Sequence, residues 1–131
     1  MWRAQVVPPE FSEPYLQIML DALVAMNVLW LQNHRAPPLY EAGVRYHREP
    51  PGRDEWGTIP RVLALKVGDC EDLAGWRAAE LQRIGERARA VPKLVRVYPD
   101  GSKLFHILVK RGTGQLEDPS RKLGMRADAA A

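Results

Sequence analysis

Between Tyr15 and Leu31 the chain runs YLQIMLDALVAMNVLWL, apolar except for Gln17, Asp21 and Asn27. Whatever this protein folds into has to cover those side chains. Pro14 suits the first turn of a helix and Ser12 or Glu13 can cap it, while Gln17, Asp21 and Gln32 recur at helical spacing on one narrow polar stripe. The rest of the circumference is greasy. A helix of that kind is either enclosed by a core or shared between a core and a partner. The expectation here is a partner, touched by some of Leu23, Met26 and Trp30. The apolar run is shorter than the roughly 20 residues that cross a bilayer, so a core helix and no membrane is expected.

With 131 residues, 46% of them hydrophobic, the chain supports one core and not two. It reads as a single domain over 1–131, with an N-terminal arm at 1–13, a Pro/Gly-rich wrapping loop at 35–57 and a tail at 126–131. Its start, MWRAQVVPPEFSEP, lacks a continuous apolar core and a small-residue cleavage site, so it is unlike a secretory leader, and folding where it is made is expected. Nineteen basic against 16 acidic residues leave a net charge of only +3, with both signs interspersed. Nucleic acid is not indicated by that balance, and Arg45, Arg48, Arg53 and Arg61 read as solvated surface. A single cysteine rules out an internal disulfide and a thiolate-rich zinc site, which fits reducing surroundings. His34, His47 and His106 have no metal-ligand spacing with each other or with Cys70, so neither a metal nor a cofactor is expected.

From His34 to Pro60, five prolines and three glycines break any long element, yet Tyr40, Tyr46 and Trp56 are spread through the stretch. A loop that wraps the domain and forms one wall of a cleft is expected. TIPRVLALKVG then reads as a helix opened by Thr58, with Pro60 near its start and Gly68 at its end.

The lone thiol lies in VGDCEDLAGW. Asp69 is a good N-cap and Asp72, three positions on, completes a capping box, so a helix starts at Cys70. Leu73, Ala74, Ala78, Leu81 and Ile84 form its core stripe, whereas Arg77, Glu80 and Arg83 lie elsewhere. Unpaired N–H groups at a helix start favour a thiolate, but Asp69, Glu71 and Asp72 oppose it if they face the sulfur. A base is therefore needed. A lone cysteine is also, quite simply, a small buried hydrophobe.

Three strands follow: roughly Ala88 to Tyr98, then Lys103 to Lys110 after a PDGS turn, then Gln115 to Asp118 after RGTG, an antiparallel meander. His106 shares a face with Leu104 and Leu108 and is expected to point toward the helix covering that face. Asp118 ends the third strand, where it either starts a turn before Pro119 or lies beside His106. A thiol on a helix, an imidazole on a strand and a carboxylate on the next strand are the parts of an activated-thiol triad.

That order resembles the papain-like and transglutaminase-like superfamily. GDCEDLAGWRAAEL, FHILVKR and LEDPSRKLGM, together with YHREPPGRDEWGTIPRVL, are similar to small transglutaminase-like proteins of tailed bacteriophages and prophages, over most of Leu39 to Met125. The resemblance implies an α+β domain with a papain/transglutaminase-like core: a cysteine-bearing helix on a three-stranded antiparallel sheet, plus the N-terminal helix. It implies Cys70 as nucleophile, His106 as base and then acid, and Asp118 as the residue that fixes the ring. The activity implied is acyl transfer through a Cys70 thioester, ending in peptide or amide hydrolysis or in transamidation on a protein or peptide substrate. Oxyanion donors would be the backbone N–H of Cys70 and either the Trp56 indole or a side chain such as Gln32. Larger transglutaminases carry an aromatic residue after the nucleophile where this chain has Glu71, so calcium dependence is not carried over. The second expectation is a head, neck or tail component of a virion that keeps the fold with little or no catalysis, associating with itself or with virion proteins through Tyr15–Leu31. The setting implied is the bacterial host cytoplasm during phage production, or the virion.

Overall fold

A computed structural model describes residues 6–8, 13–48 and 56–126. Ser12 as a cap, Arg53 and most of the 126–131 tail lie outside these residues. Strand β1 (Val6–Val7) precedes helix α1 (Glu13–Asn33), which is followed by a 3-10 turn at Leu39–Glu41 and strand β2 (Arg45–Tyr46). Helix α2 (Ile59–Leu65), strand β3 (Val67–Gly68) and helix α3 (Cys70–Arg83) come next. The chain then forms β4 (Arg89–Val97), β5 (Lys103–Lys110), β6 (Leu116–Glu117) and a single helical turn, α4 (Pro119–Lys122). The class is α+β, as expected.

The antiparallel sheet is built around β5. Along one edge it pairs with β4, from Arg89↔Lys110 to Val97↔Lys103. Along the other edge β1 pairs at Val6↔Leu104 and β6 at Val109↔Glu117. The expected meander is therefore present, with β1 from the N-terminal arm as a fourth strand. Both hairpins rest on a glycine in the left-handed region, Gly101 at φ 88° and Gly114 at φ 89°. Pro92, without an N–H, is tolerated because β4 is an edge strand. The wrapping segment gives β2, which pairs in parallel with β3.

Successive side chains of β5 point to opposite faces. Phe105, Ile107 and Val109 form one buried cluster with Leu16, Leu20 and Val24 of α1 and with Cys70, Ala74, Ala78 and Leu81 of α3. The helix layer therefore covers that face. The alternate face carries Leu104, His106 and Leu108, and there His106 meets Asp118, the cap of α4. Both faces of β5 are buried, and a strand buried on both sides does not show by alternation which face a helix takes. A second cluster joins Leu39, Val44, Ile59 and Val62 to Leu73 and Trp76 on the far flank of α3.

Several sequence expectations about helix ends are also corrected. Helix α2 stops at Leu65, with Lys66 in the left-handed conformation at φ 61°, not at Gly68. Gly68 instead permits a close approach: a Cβ there would lie 3.0 Å from Leu73 Cδ2. Ile84 falls after the last turn of α3 and is 78% exposed, so it is not on the core stripe. Leu23, expected among partner contacts, is buried in the protein's own interior against Gly75, where a Cβ would meet Leu23 Cδ2 at 2.8 Å. Helix α1 has 21 residues and is long and apolar enough by length and composition to cross a membrane, which overturns the argument from shortness. Leu16, Leu20, Leu23, Val24 and Asn27 nonetheless give it a buried face.

Candidate active site

Cys70 opens α3 through the expected capping box. The Asp69 carboxylate accepts from the backbone at the helix start, and the Asp72 carboxylate accepts from Asp69 N–H at 3.1 Å. Asp72 Oδ1 also accepts from the Gly57 N–H at 2.6 Å. Asn27, buried in α1, accepts from the Ile59 N–H at 2.9 Å. Side chains of α1 and α3 thus fix the backbone at Gly57 and Ile59, and the start of α2 is capped by Asn27 while Thr58 makes no side-chain cap. The capping motif was legible; the reach of Asp72 and Asn27 into a distant segment was not, because no local spacing encodes it.

The thiol itself is 1% exposed and donates to Glu71 Oε2, with sulfur and oxygen 3.6 Å apart. Glu71 is buried as well. Donor atoms of Asp69, Cys70 and Glu71 lie within 4.8 Å of one another, a grouping that ligand spacing between distant residues did not suggest. Tyr46 and Trp56 pack on the cluster that contains Cys70. Burial, and then the nearby Asp69 and Cys70, hold the Tyr46 phenol above its ordinary range, so it remains a neutral hydroxyl.

One expected oxyanion donor is corrected. The backbone N–H of Cys70 donates to Asp69 Oδ1 at 2.7 Å, so the cap that starts the helix takes the hydrogen bond an oxyanion would need. Trp56 is half-buried in a packing position and Gln32 is exposed near the end of α1.

His106 and Asp118 are brought together. The imidazole Nε2 is 3.0 Å from Oδ2 and 3.1 Å from Oδ1 of Asp118. An ionised carboxylate only accepts, so Nε2 carries a proton toward Asp118 and Nδ1 is the ring nitrogen left outside this contact. Burial pushes the Asp118 carboxyl up, but the hydrogen bond and charge of His106, the Arg121 N–H and the Arg121 guanidinium outweigh it and hold the group below its usual range. Asp118 also caps α4, accepting from Arg121 N–H at 3.3 Å ahead of Pro119. The turn-forming and ring-orienting roles are filled by one side chain.

Of the three expected residues, the imidazole and carboxylate form a pair on one face of β5. Cys70 belongs to the buried cluster that includes Phe105 and Ile107, the chain neighbours of His106.

Beside this pair lies a network the sequence did not disclose. Glu117 faces α3, because it is paired with the inward Val109. Its carboxylate takes hydrogen bonds from Arg77 Nε at 2.7 Å, from Arg111 Nη1 at 2.8 Å and from the Tyr40 hydroxyl. Arg77 also pairs with Glu80 at 2.7 Å and lies over the Tyr40 ring, 5.0 Å from its centroid. Burial raises the Glu117 pKa, yet these partners prevail and hold it at about 2. Partners 40 and 77 positions away in the chain leave no periodic trace. Compared with protein-family models, with curated proteins and with solved structures, the chain matches none.

Proposed function

We propose that this protein is a thiol-dependent acyl-transfer enzyme on a papain/transglutaminase-like core, encoded by a phage or prophage and acting on a protein or peptide in the bacterial host cytoplasm. The observation that carries the proposal is the His106–Asp118 pair, whose Nε2 contact leaves Nδ1 as a base. In the first half-reaction Nδ1 takes the Cys70 S–H proton and the thiolate attacks an amide carbonyl carbon. The C–N bond breaks as the imidazolium returns the proton to the leaving amine, and a thioester on Cys70 remains. In the second, His106 takes a proton from water or an amine, which attacks the thioester; the C–S bond breaks and the proton goes to sulfur. Water yields a carboxylic acid, and an amine yields a new amide.

Two observations favour a second reading, a virion head, neck or tail component with little or no catalysis. The thiol is 1% exposed, and its own N–H is taken by Asp69. Alkylation of Cys70 by iodoacetamide separates the two. If His106 serves the thiol, His106→Ala slows alkylation at about pH 7 by roughly tenfold or more at unchanged thermal stability. If the thiol is core, both proteins react at one slow rate that follows unfolding, and the enzyme reading fails.

A further inference from the structure

Part of the polar stripe of α1 is turned to β4. Gln17 Nε2 donates to the Ala90 carbonyl at 2.8 Å, and Asp21 pairs with Arg89 at 2.6 Å, both gripping the start of β4. Between its polar ends, which expose Glu13, Gln32 and Asn33, α1 turns an apolar strip to solvent: Ile18 at 66% exposure, Leu29 at 61%, and Tyr15, Met19, Ala22, Ala25 and Met26 between and beside them. Ile18, Ala22, Ala25 and Leu29 repeat at four, three and four residues, the seam spacing of a two-helix coiled coil. The four seam positions are uncharged, and the charges that flank Ile18, Asp21 and Arg89, are paired with each other, which disfavours nucleic acid or a charged peptide as the occupant.

We infer that this face is a homodimer interface in which α1 packs antiparallel against α1 of a second copy. The order bulky, small, small, bulky is the same read in either direction. A two-fold axis between Ala22 and Ala25 therefore sets Ile18 of each copy against Leu29 of the other, with Ala22 against Ala25 and Met19 beside Met26. The small central pair lets the helices approach while the larger side chains close the seam above and below. Complete burial of these exposed apolar side chains would remove at most roughly 600 Å² per copy and about 1,200 Å² in the pair, at the lower edge of specific interfaces.

Sedimentation equilibrium of the full chain tests this. Wild type is expected to pass from monomer to dimer as concentration rises. Ile18→Lys and Leu29→Glu, each alone, should weaken the dimer roughly 100-fold, since each buries two unpaired charges in the seam. Both positions are exposed, so circular dichroism and thermal melting should stay at wild-type values. Mixing the two variants should restore association, because the antiparallel register places the introduced lysine of one against the introduced glutamate of the other and leaves the second layer intact. A parallel pairing would not be rescued by mixing. Wild type that remains monomeric at about 100 μM, single variants that still dimerise, or a mixture that stays monomeric would each overturn the inference. Wild-type monomer that partitions onto phosphatidylcholine vesicles, with Ile18→Lys abolishing the partitioning, would overturn it in favour of a lipid surface.

Discussion

Replacing Glu117 by Gln tests whether the buried ion network holds β6 to α3, and the pKa supplies the magnitude. A carboxyl brought from 4.5 to about 2 on folding contributes about 3 kcal/mol at neutral pH. Because the folded pKa is depressed, that stabilisation is complete above pH 4.5 and is lost as pH falls toward 2. The substituted amide keeps one acceptor oxygen for Tyr40 or one arginine, but carries no charge and turns an N–H toward the other guanidinium. Urea unfolding followed by tryptophan fluorescence is a suitable assay, with buried Trp76 as a native-state reporter. At about pH 7 the variant should unfold at roughly 2 M lower urea, for a slope of about 1.5 kcal/mol per M. The gap should narrow below pH 4.5 and close near pH 2. Glu86 is also held at about 2 by Arg111 and titrates in both proteins; because it shares that arginine with Glu117, part of the Arg111 interaction passes to Glu86 in the variant. Wild-type stability of Glu117→Gln at neutral pH, or a deficit that does not change with pH, would refute the argument.

Asp72→Ala leaves the buried N–H groups of Gly57 and Asp69 without their acceptor and is expected to cost about 2–4 kcal/mol in urea unfolding, with Asp72→Asn intermediate because one amide oxygen remains. Asp118→Asn can still cap α4 but no longer fixes the proton on His106 Nε2; iodoacetamide alkylation of Cys70 should fall, by no more than in His106→Ala, with less than about 1 kcal/mol lost in stability. A stability loss that accounted for the whole rate change would leave Asp118 with its turn-forming role alone.

The parts of this fold that could be read in advance are those written in local chemistry. Asp69 and Asp72 three residues apart announce the start of α3, the alternation from Lys103 to Lys110 gives β5 its observed limits, and glycines mark both hairpin turns. Propensity acts over one turn or one strand, so these signals survive any tertiary context. The misreadings share a different cause. Gly68 looked like a helix terminus, yet it lies past the end of α2 and closes on Leu73, where a Cβ would make a tight 3.0 Å contact. Leu23 looked like a partner contact on the apolar side of α1, yet it packs inside the protein against Gly75. Whether a residue meets solvent or a neighbour depends on which elements pack where, and periodicity gives a face without saying what lies against it. For the same reason the His106–Asp118 pair was legible across one hairpin, whereas Tyr40, Arg77 and Glu117 were not.

Glu117 and Asp118 are consecutive, and the pleat sends them to opposite faces of the sheet. Glu117 goes down to Arg77 of α3, while Asp118 goes up to the ring of His106. Strand β6 is only two residues long, and its own ladder is too short to hold a register firmly. The ion network supplies that hold: a slip of one residue would carry Glu117 away from two guanidinium groups and put Asp118 in its place on the wrong face. The orientation of His106 therefore depends on charges that never touch it. Weakening them should loosen the imidazole before it unfolds the protein, so an effect of Glu117→Gln on Cys70 alkylation, measured well below the unfolding transition, would report the hold of α3 on β6 acting through the adjacent residue.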